Sequence, residues 1–119
     1  MAYASEDAVI GDPHVKMGLV AGDGGAVIWP HLVGLNKAKE MLLTGRMLPA
    51  SEAHRMGLIN HVVPAAELDA AVDAVADDLA SGATLAIRWT KTVMNLELRR
   101  INAAISDAAR ASDRSEEHT

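Results

Sequence analysis

Aromatic side chains, the bulkiest fillers of a protein core, are almost missing from this chain: Tyr3, Trp29 and Trp89 are the whole set, and phenylalanine is absent. The interior must therefore be assembled from Ala, Val, Leu, Ile and Met, which with the three aromatics make up 50% of the 119 residues. Small side chains let helix axes approach one another, so the composition implies close helix packing. A chain of this length and apolar content suits one domain, or a piece of a larger one.

The formal charge is −5, so DNA or RNA would meet net repulsion, and nucleic acid is not expected as a partner. There is no cysteine, which excludes disulfides, thiolate metal sites and cysteine nucleophiles. Met1 to Ile10 carries Glu6 and Asp7 and no basic leader before an apolar run, so a secretory signal is not expected. No stretch approaches the ~20 apolar residues of a membrane span. The expectation is a cytoplasmic protein with no membrane partner.

Along the chain, Ala8-Val9-Ile10 is a short β-branched run closed by Gly11 and Pro13 and reads as a strand and turn. Gly22-Asp23-Gly24-Gly25 is a glycine-rich turn opening a helix interrupted near Pro30. Asn36 to Leu43 predicts a helix with Gly45 as its left-handed stop, and Ala50 to Met56 a shorter one stopped by Gly57. Leu58 to Val63, closed by Pro64, predicts a strand. Between Ala66 and Ala80, Leu68, Ala71, Val72, Val75, Ala76 and Leu79 recur at helical spacing opposite a solvated acidic face. Two further helices are expected, from Thr84 to Asn95 and from Leu96 to Ser112, the second with a stripe of Ile101, Ala104, Ile105 and Ala108. Strands early and helices late give an α/β or α+β class. Two lone strands are marginal by themselves, which points to a missing upstream part.

The segment Gly34 to Pro64, GLNKAKEMLLTGRMLPASEAHRMGLINHVVP, is similar to the C-terminal stretch of the enoyl-CoA hydratase/isomerase (crotonase) superfamily. There an A-x-E-x-x-L-T-G helix end leads through A-x-E-A to G-L-V-x-x-V-V-P, and Ala38, Glu40, Leu43 to Gly45, Ala50, Glu52, Ala53, Gly57, Leu58 and Val62 to Pro64 hold the matching places. Gly11-Asp12-Pro13, Gly22-x-Gly24-Gly25, and Ala86 to Lys91 followed by Asn95 resemble further family elements. The resemblance implies an α/β fold: part of the crotonase ββα spiral, then a C-terminal helical region that mediates trimer contacts. It covers about Met1 to Ala111, and it places the thioester-binding amides and one of two hydratase glutamates upstream of Met1.

The same resemblance implies an acyl-CoA thioester as substrate and partner, an enolate of that thioester as the stabilised species, and a homotrimer or dimer of trimers for the full-length parent. Coenzyme A would enter as part of the substrate, with no separate cofactor. Where many hydratases carry a catalytic glutamate after the turn proline, this chain has His14 after Pro13. His14 is thus a candidate acid or base near neutral pH, or else a turn histidine bonded to backbone. In the family the first glycine of the G-x-G-G turn lies near the acyl thioester, which makes Gly22, Gly24 and Gly25 candidate substrate-binding residues; otherwise they only permit a tight turn. Asp23 faces the pocket or is a solvent-side turn aspartate. Pro49 stands where the family often has a capping Thr or Ser and reads as a proline in the first helical turn.

His31, His54 and His61 are scattered, and no metal site is expected. Lys91, Arg99 and Arg100 are basic enough to meet coenzyme A phosphates, but the family's phosphate-binding helix would lie mostly beyond Thr119. Residues 1–113 are read as the crotonase-like part. Arg114 to Thr119, RSEEHT, equals the translation of the opening of a widely used sequencing adapter and is expected to be a non-native, unstructured tail. Two functions remain: part of an acyl-CoA hydratase or isomerase, itself inactive as a fragment, or a non-catalytic piece or pseudo-enzyme that acts only by subunit packing.

Overall fold

The computed structural model describes residues 1–116, with side chains through residue 111. In order it contains β1 (Tyr3–Ser5), β2 (Val9–Ile10), a 3-10 turn (His14–Met17), α1 (Gly25–Val33), α2 (Leu35–Thr44), β3 (Leu48–Pro49) and α3 (Ala50–Arg55). Then come β4 (His61–Val63), a second 3-10 turn (Ala65–Glu67), α4 (Leu68–Ser81) and α5 (Thr84–Glu116).

Each strand finds one partner. The run ending at Val63 pairs in parallel with β1, Tyr3 opposite His61 and Ser5 opposite Val63. The ladder is extended by Asn60 N–H to the Ala2 carbonyl at 2.9 Å and by Glu6 N–H to the Val63 carbonyl at 2.9 Å. β2 pairs antiparallel with β3, Ile10 opposite Leu48. At three and two residues, β1 and β3 are too short to show alternation, so neither was predictable from pattern. Pro49 is not in the first helical turn: it closes β3 with extended dihedrals (φ −60°, ψ 146°) and stands just before α3. An edge strand tolerates its missing N–H.

Two helices differ from expectation. α1 passes through Pro30 and ends at Val33; the proline removes one bond to the Ala26 carbonyl without stopping the helix. The two helices expected after Gly82 are one, because no glycine or proline interrupts residues 84 to 116. Arg114 to Glu116, expected to be unstructured, continue α5; residues 117–119 lie outside the described residues. The face of α5 turned to the body is Asn95, Leu98, Ile101, Ile105 and Ala109, whereas Ala104 and Ala108 are exposed. α2 does end at Gly45, in the left-handed conformation (φ 61°).

The core is built from small residues. Ala50 and Ala53 of α3 are fully buried against Ala4, Leu58 and Ile59, with Trp29 and Val33 of α1 at its margin. Val27, Ala38, Met41 and Leu48 are buried as well. α4 contributes no buried residue, only the half-covered stripe Leu68, Ala71 and Val75. Among the described residues, no helix is long and apolar enough to cross a membrane.

Large faces stay open. The radius of gyration is 16.9 Å, against about 13.5 Å for a compact domain of this length. The accessible surface is 8223 Å², against roughly 6,200 Å² for a compact monomer of this mass. The excess includes Leu85, Trp89, Val93 and Met94 on α5 and Leu32, Leu35 and Leu43 on α1 and α2, all strongly exposed. In isolation the 119-residue chain is expected to self-associate in sedimentation experiments; a cooperative, monomeric unfolding transition would contradict this. Leu48→Ala, at a fully covered site, is expected to cost about 2–5 kcal/mol in denaturant titration. Leu85→Ala, at an open one, is expected to stay within about 0.5 kcal/mol.

Candidate active site

The site begins with the turn that leaves β2. Asp12 Oδ1 accepts the backbone N–H of His14 at 3.2 Å, an aspartate closing a turn over its own chain two residues on. Pro13 sits between them with φ −90°, and its carbonyl accepts Lys16 N–H at 3.0 Å, which starts the 3-10 turn. Gly18 ends that turn with φ 73°. The result is a rigid seat that presents His14 at the beginning of a short helix while Asp12 faces inward, 9% exposed.

The His14 ring is held at both nitrogens. Nδ1 lies 2.5 Å from Asp12 Oδ1, and Nε2 lies 3.4 Å from Asp23 Oδ2. Side-chain exposure rises outward, from 10% at Asp12 to 30% at His14 and 73% at Asp23. The Asp12 hydrogen bond raises the imidazole pKa above its ordinary 6.5; the charges of both aspartates add to this, and burial opposes it. Among the described residues, Asp12, His14 and Asp23 also have ligand-like spacing, their candidate atoms lying within 4.8 Å of one another. Each nitrogen is already turned to a different carboxylate, so an ion on either would have to displace one pair. The geometry fits an imidazolium donating at both nitrogens.

A pocket of about 280 Å³ opens beside this ring, lined by His14, Leu19, Val20, Gly22, Asp23 and, from α5, Ser106, Ala109 and Arg110. Gly22 is in contact with α5: any Cβ on it would overlap Ala109 Cβ. Its own N–H donates to the Val20 carbonyl at 2.8 Å, so in this conformation Gly22 offers the pocket space rather than a donor. Gly24 has φ 153°, a conformation L-residues rarely take, and its carbonyl accepts the first α1 bonds from Val27 and Ile28. Gly25 is buried beneath Asp12, where a Cβ would overlap Oδ2.

Of the residues singled out from sequence, His14, Gly22 and Asp23 converge on this pocket, while Gly24 and Gly25 shape the start of α1 outside its lining. Sequence reading missed three contributors. Asp12 was legible as an Asp-Pro turn starter two residues before His14; Ser106 and Arg110 were not, because nothing local ties α5 to the glycine turn. The three basic residues singled out from sequence lie elsewhere: Arg99 borders a groove between α1 and α5, Lys91 a cleft between α4 and α5, and Arg100 pairs with Glu97 at 2.5 Å. His54 and His61 stack with ring centroids 6.5 Å apart.

Because the folded pKa of His14 is raised, its contacts with the aspartates stabilise the fold fully below the unfolded value near 6.5. That contribution disappears as pH rises through the folded value. An imidazole proton titration is expected to place the His14 midpoint above 6.5; a midpoint at or below 6.5 would contradict the doubly paired ring.

Comparison with known proteins gives a consistent picture. Residues 1–116 match the family described as "Enoyl-CoA hydratase/isomerase". The chain is 40% identical over 93 residues to a short-chain-enoyl-CoA hydratase of Clostridioides difficile, covering 78% of this chain and 60% of that protein. It is similar in structure to an enoyl-CoA hydratase from Mycobacterium avium, with TM-score 0.87 and 31% identity over 98% of this chain and 54% of the other. An enoyl-CoA hydratase/isomerase from Mycobacterium paratuberculosis superposes with TM-score 0.75 and 40% identity, over 90% and 42% respectively. The chain therefore spans roughly half the length of these relatives. With the motif segment, the partial spiral of short strands and helices, and a match along nearly its whole length, this chain belongs to the enoyl-CoA hydratase/isomerase family of the crotonase superfamily.

Proposed function

We propose that this chain carries part of the active site of an enzyme that hydrates or isomerises acyl-CoA thioesters, with His14 as its proton-transfer group. The observation that carries the reading is the position of His14 in the lining of a pocket bounded by the glycine turn and α5, with Nε2 turned to Asp23, which also lines it. A ring with a pKa above 6.5 exchanges protons near neutral pH, the condition for useful acid–base catalysis. The step is a proton transfer beside a thioester: the C–H bond breaks, Nε2 gains the proton, and the electron pair is held as the thioester enolate. Coenzyme A belongs to the substrate, and no separate cofactor is required for this step.

Gly22 and Asp23 border the space the acyl group would enter, and Gly24 and Gly25 act by fixing the start of α1. The open apolar face of α5 supports packing against further copies, as a homotrimer or dimer of trimers of the full-length protein. A cytoplasmic location and a place in fatty acid metabolism accompany this reading as expectations. The same open surface favours the runner-up, a chain that packs with a trimer and catalyses nothing.

The two readings separate at His14. In the full-length protein, His14→Ala is expected to lower turnover of an enoyl-CoA by about 10²–10⁴-fold while binding changes much less. Unchanged turnover would remove His14 from the chemistry; no turnover in the unsubstituted protein would favour the packing reading.

A further inference from the structure

A carboxylate acid or base has two equivalent oxygens, but an imidazole has two different nitrogens, and only one of them can serve the pocket. We infer that Asp12 is a positioning residue: it holds the Nδ1–H of His14 and so makes Nε2 the nitrogen that exchanges a proton with substrate. This rests on the reading of His14 as the acid–base group.

Asp12 contacts His14 twice, at the backbone N–H (3.2 Å) and at Nδ1 (2.5 Å), which fixes the ring relative to its own main chain. It is buried, with the first residues of α1 beside it. The bare Cα of Gly25 leaves room for Oδ2, and the positive end of the helix favours a negative charge there. A buried acceptor opposite Nδ1 selects the tautomer that carries its proton on that nitrogen. The other side is the reverse: Asp23 is mostly exposed and 3.4 Å from Nε2, a long contact that substrate or water can replace. Among the described residues, the charges acting on the ring are these two aspartates; Arg110 also lines the pocket, where it pairs with Asp107 at 3.7 Å.

In the forward step a substrate C–H bond breaks, its electron pair is held as the thioester enolate, and the N–H bond forms at Nε2. Where water is the donor, its O–H breaks as its oxygen bonds to the enoyl carbon and the C=C pair moves into the same enolate. The Nδ1 proton stays between ring and Asp12, and the imidazolium is flanked by two carboxylates. Donation from Nε2 returns the ring to its starting tautomer. Asp12 accepts no proton at any stage.

The direct test is ¹⁵N NMR of the imidazole nitrogens of His14 in the full chain. Above its titration midpoint, Nδ1 is expected to be protonated and Nε2 bare; a predominant Nε2–H tautomer would overturn the inference. This measurement needs no variant, so misfolding of a mutant leaves it intact. Asp12→Asn is expected to lower the midpoint, mix the tautomers and reduce kcat of the full-length protein by about tenfold or more, with KM for acyl-CoA changing less. An Asp12→Asn protein with unchanged midpoint and tautomer would also overturn it. A fixed tautomer together with undiminished turnover in His14→Ala would instead defeat the acid–base reading on which the role of Asp12 depends.

Discussion

The buried carboxylate of Asp12 ties three parts of the molecule together. It closes the turn after β2, it takes the His14 ring on one side, and it lies over Gly25 at the start of α1 on the other. A carboxylate this well covered needs hydrogen-bond partners. Here those partners are a backbone amide and an imidazole of the next residue but one. The orientation of the pocket follows from that arrangement, since a ring held at Nδ1 can only present Nε2 outward.

The second dependence is close approach. Gly22 touches Ala109, Gly25 touches Asp12, and Ala50 and Ala53 bury without residual exposure. In each case the missing side-chain atoms are what allow two elements to meet. With Tyr3 and Trp29 only partly buried and Trp89 exposed, the core holds because its elements come near enough for alanine and methionine to fill the space. The cost of this economy is visible in α4 and α5, which share only a narrow seam with the body and leave broad apolar faces uncovered. The chain spans roughly half the length of its relatives.

Much of this was legible in order along the chain. The helices over Asn36 to Leu43, Ala50 to Met56 and Ala66 to Ala80, and the strand ending at Val63, announce themselves by period and punctuation, and the structure has all four. β1 and β3 were hidden, since two or three residues carry no period; they exist because a distant segment supplies hydrogen bonds. The continuity of α5 was legible in principle, through the absence of glycine and proline after Gly82. The break expected near Leu96 has no glycine or proline to cause it, and the helix runs through it.

What the sequence determined by itself is the family, the helical punctuation, and the presence of a histidine after the turn proline, because each is a matter of residue type at fixed spacing. An Asp-Pro-His turn is also local, and its aspartate could have been singled out. Only the tertiary structure decided that Asp23, nine residues beyond His14 in a separate loop, faces the other ring nitrogen, and that Ser106 and Arg110 of α5 form the far wall of the pocket. Those contacts depend on how closely α5 can approach the glycine turn. That distance is set by the packing of Gly22 on Ala109, which pairs residues far apart in the chain and leaves no trace in either segment alone.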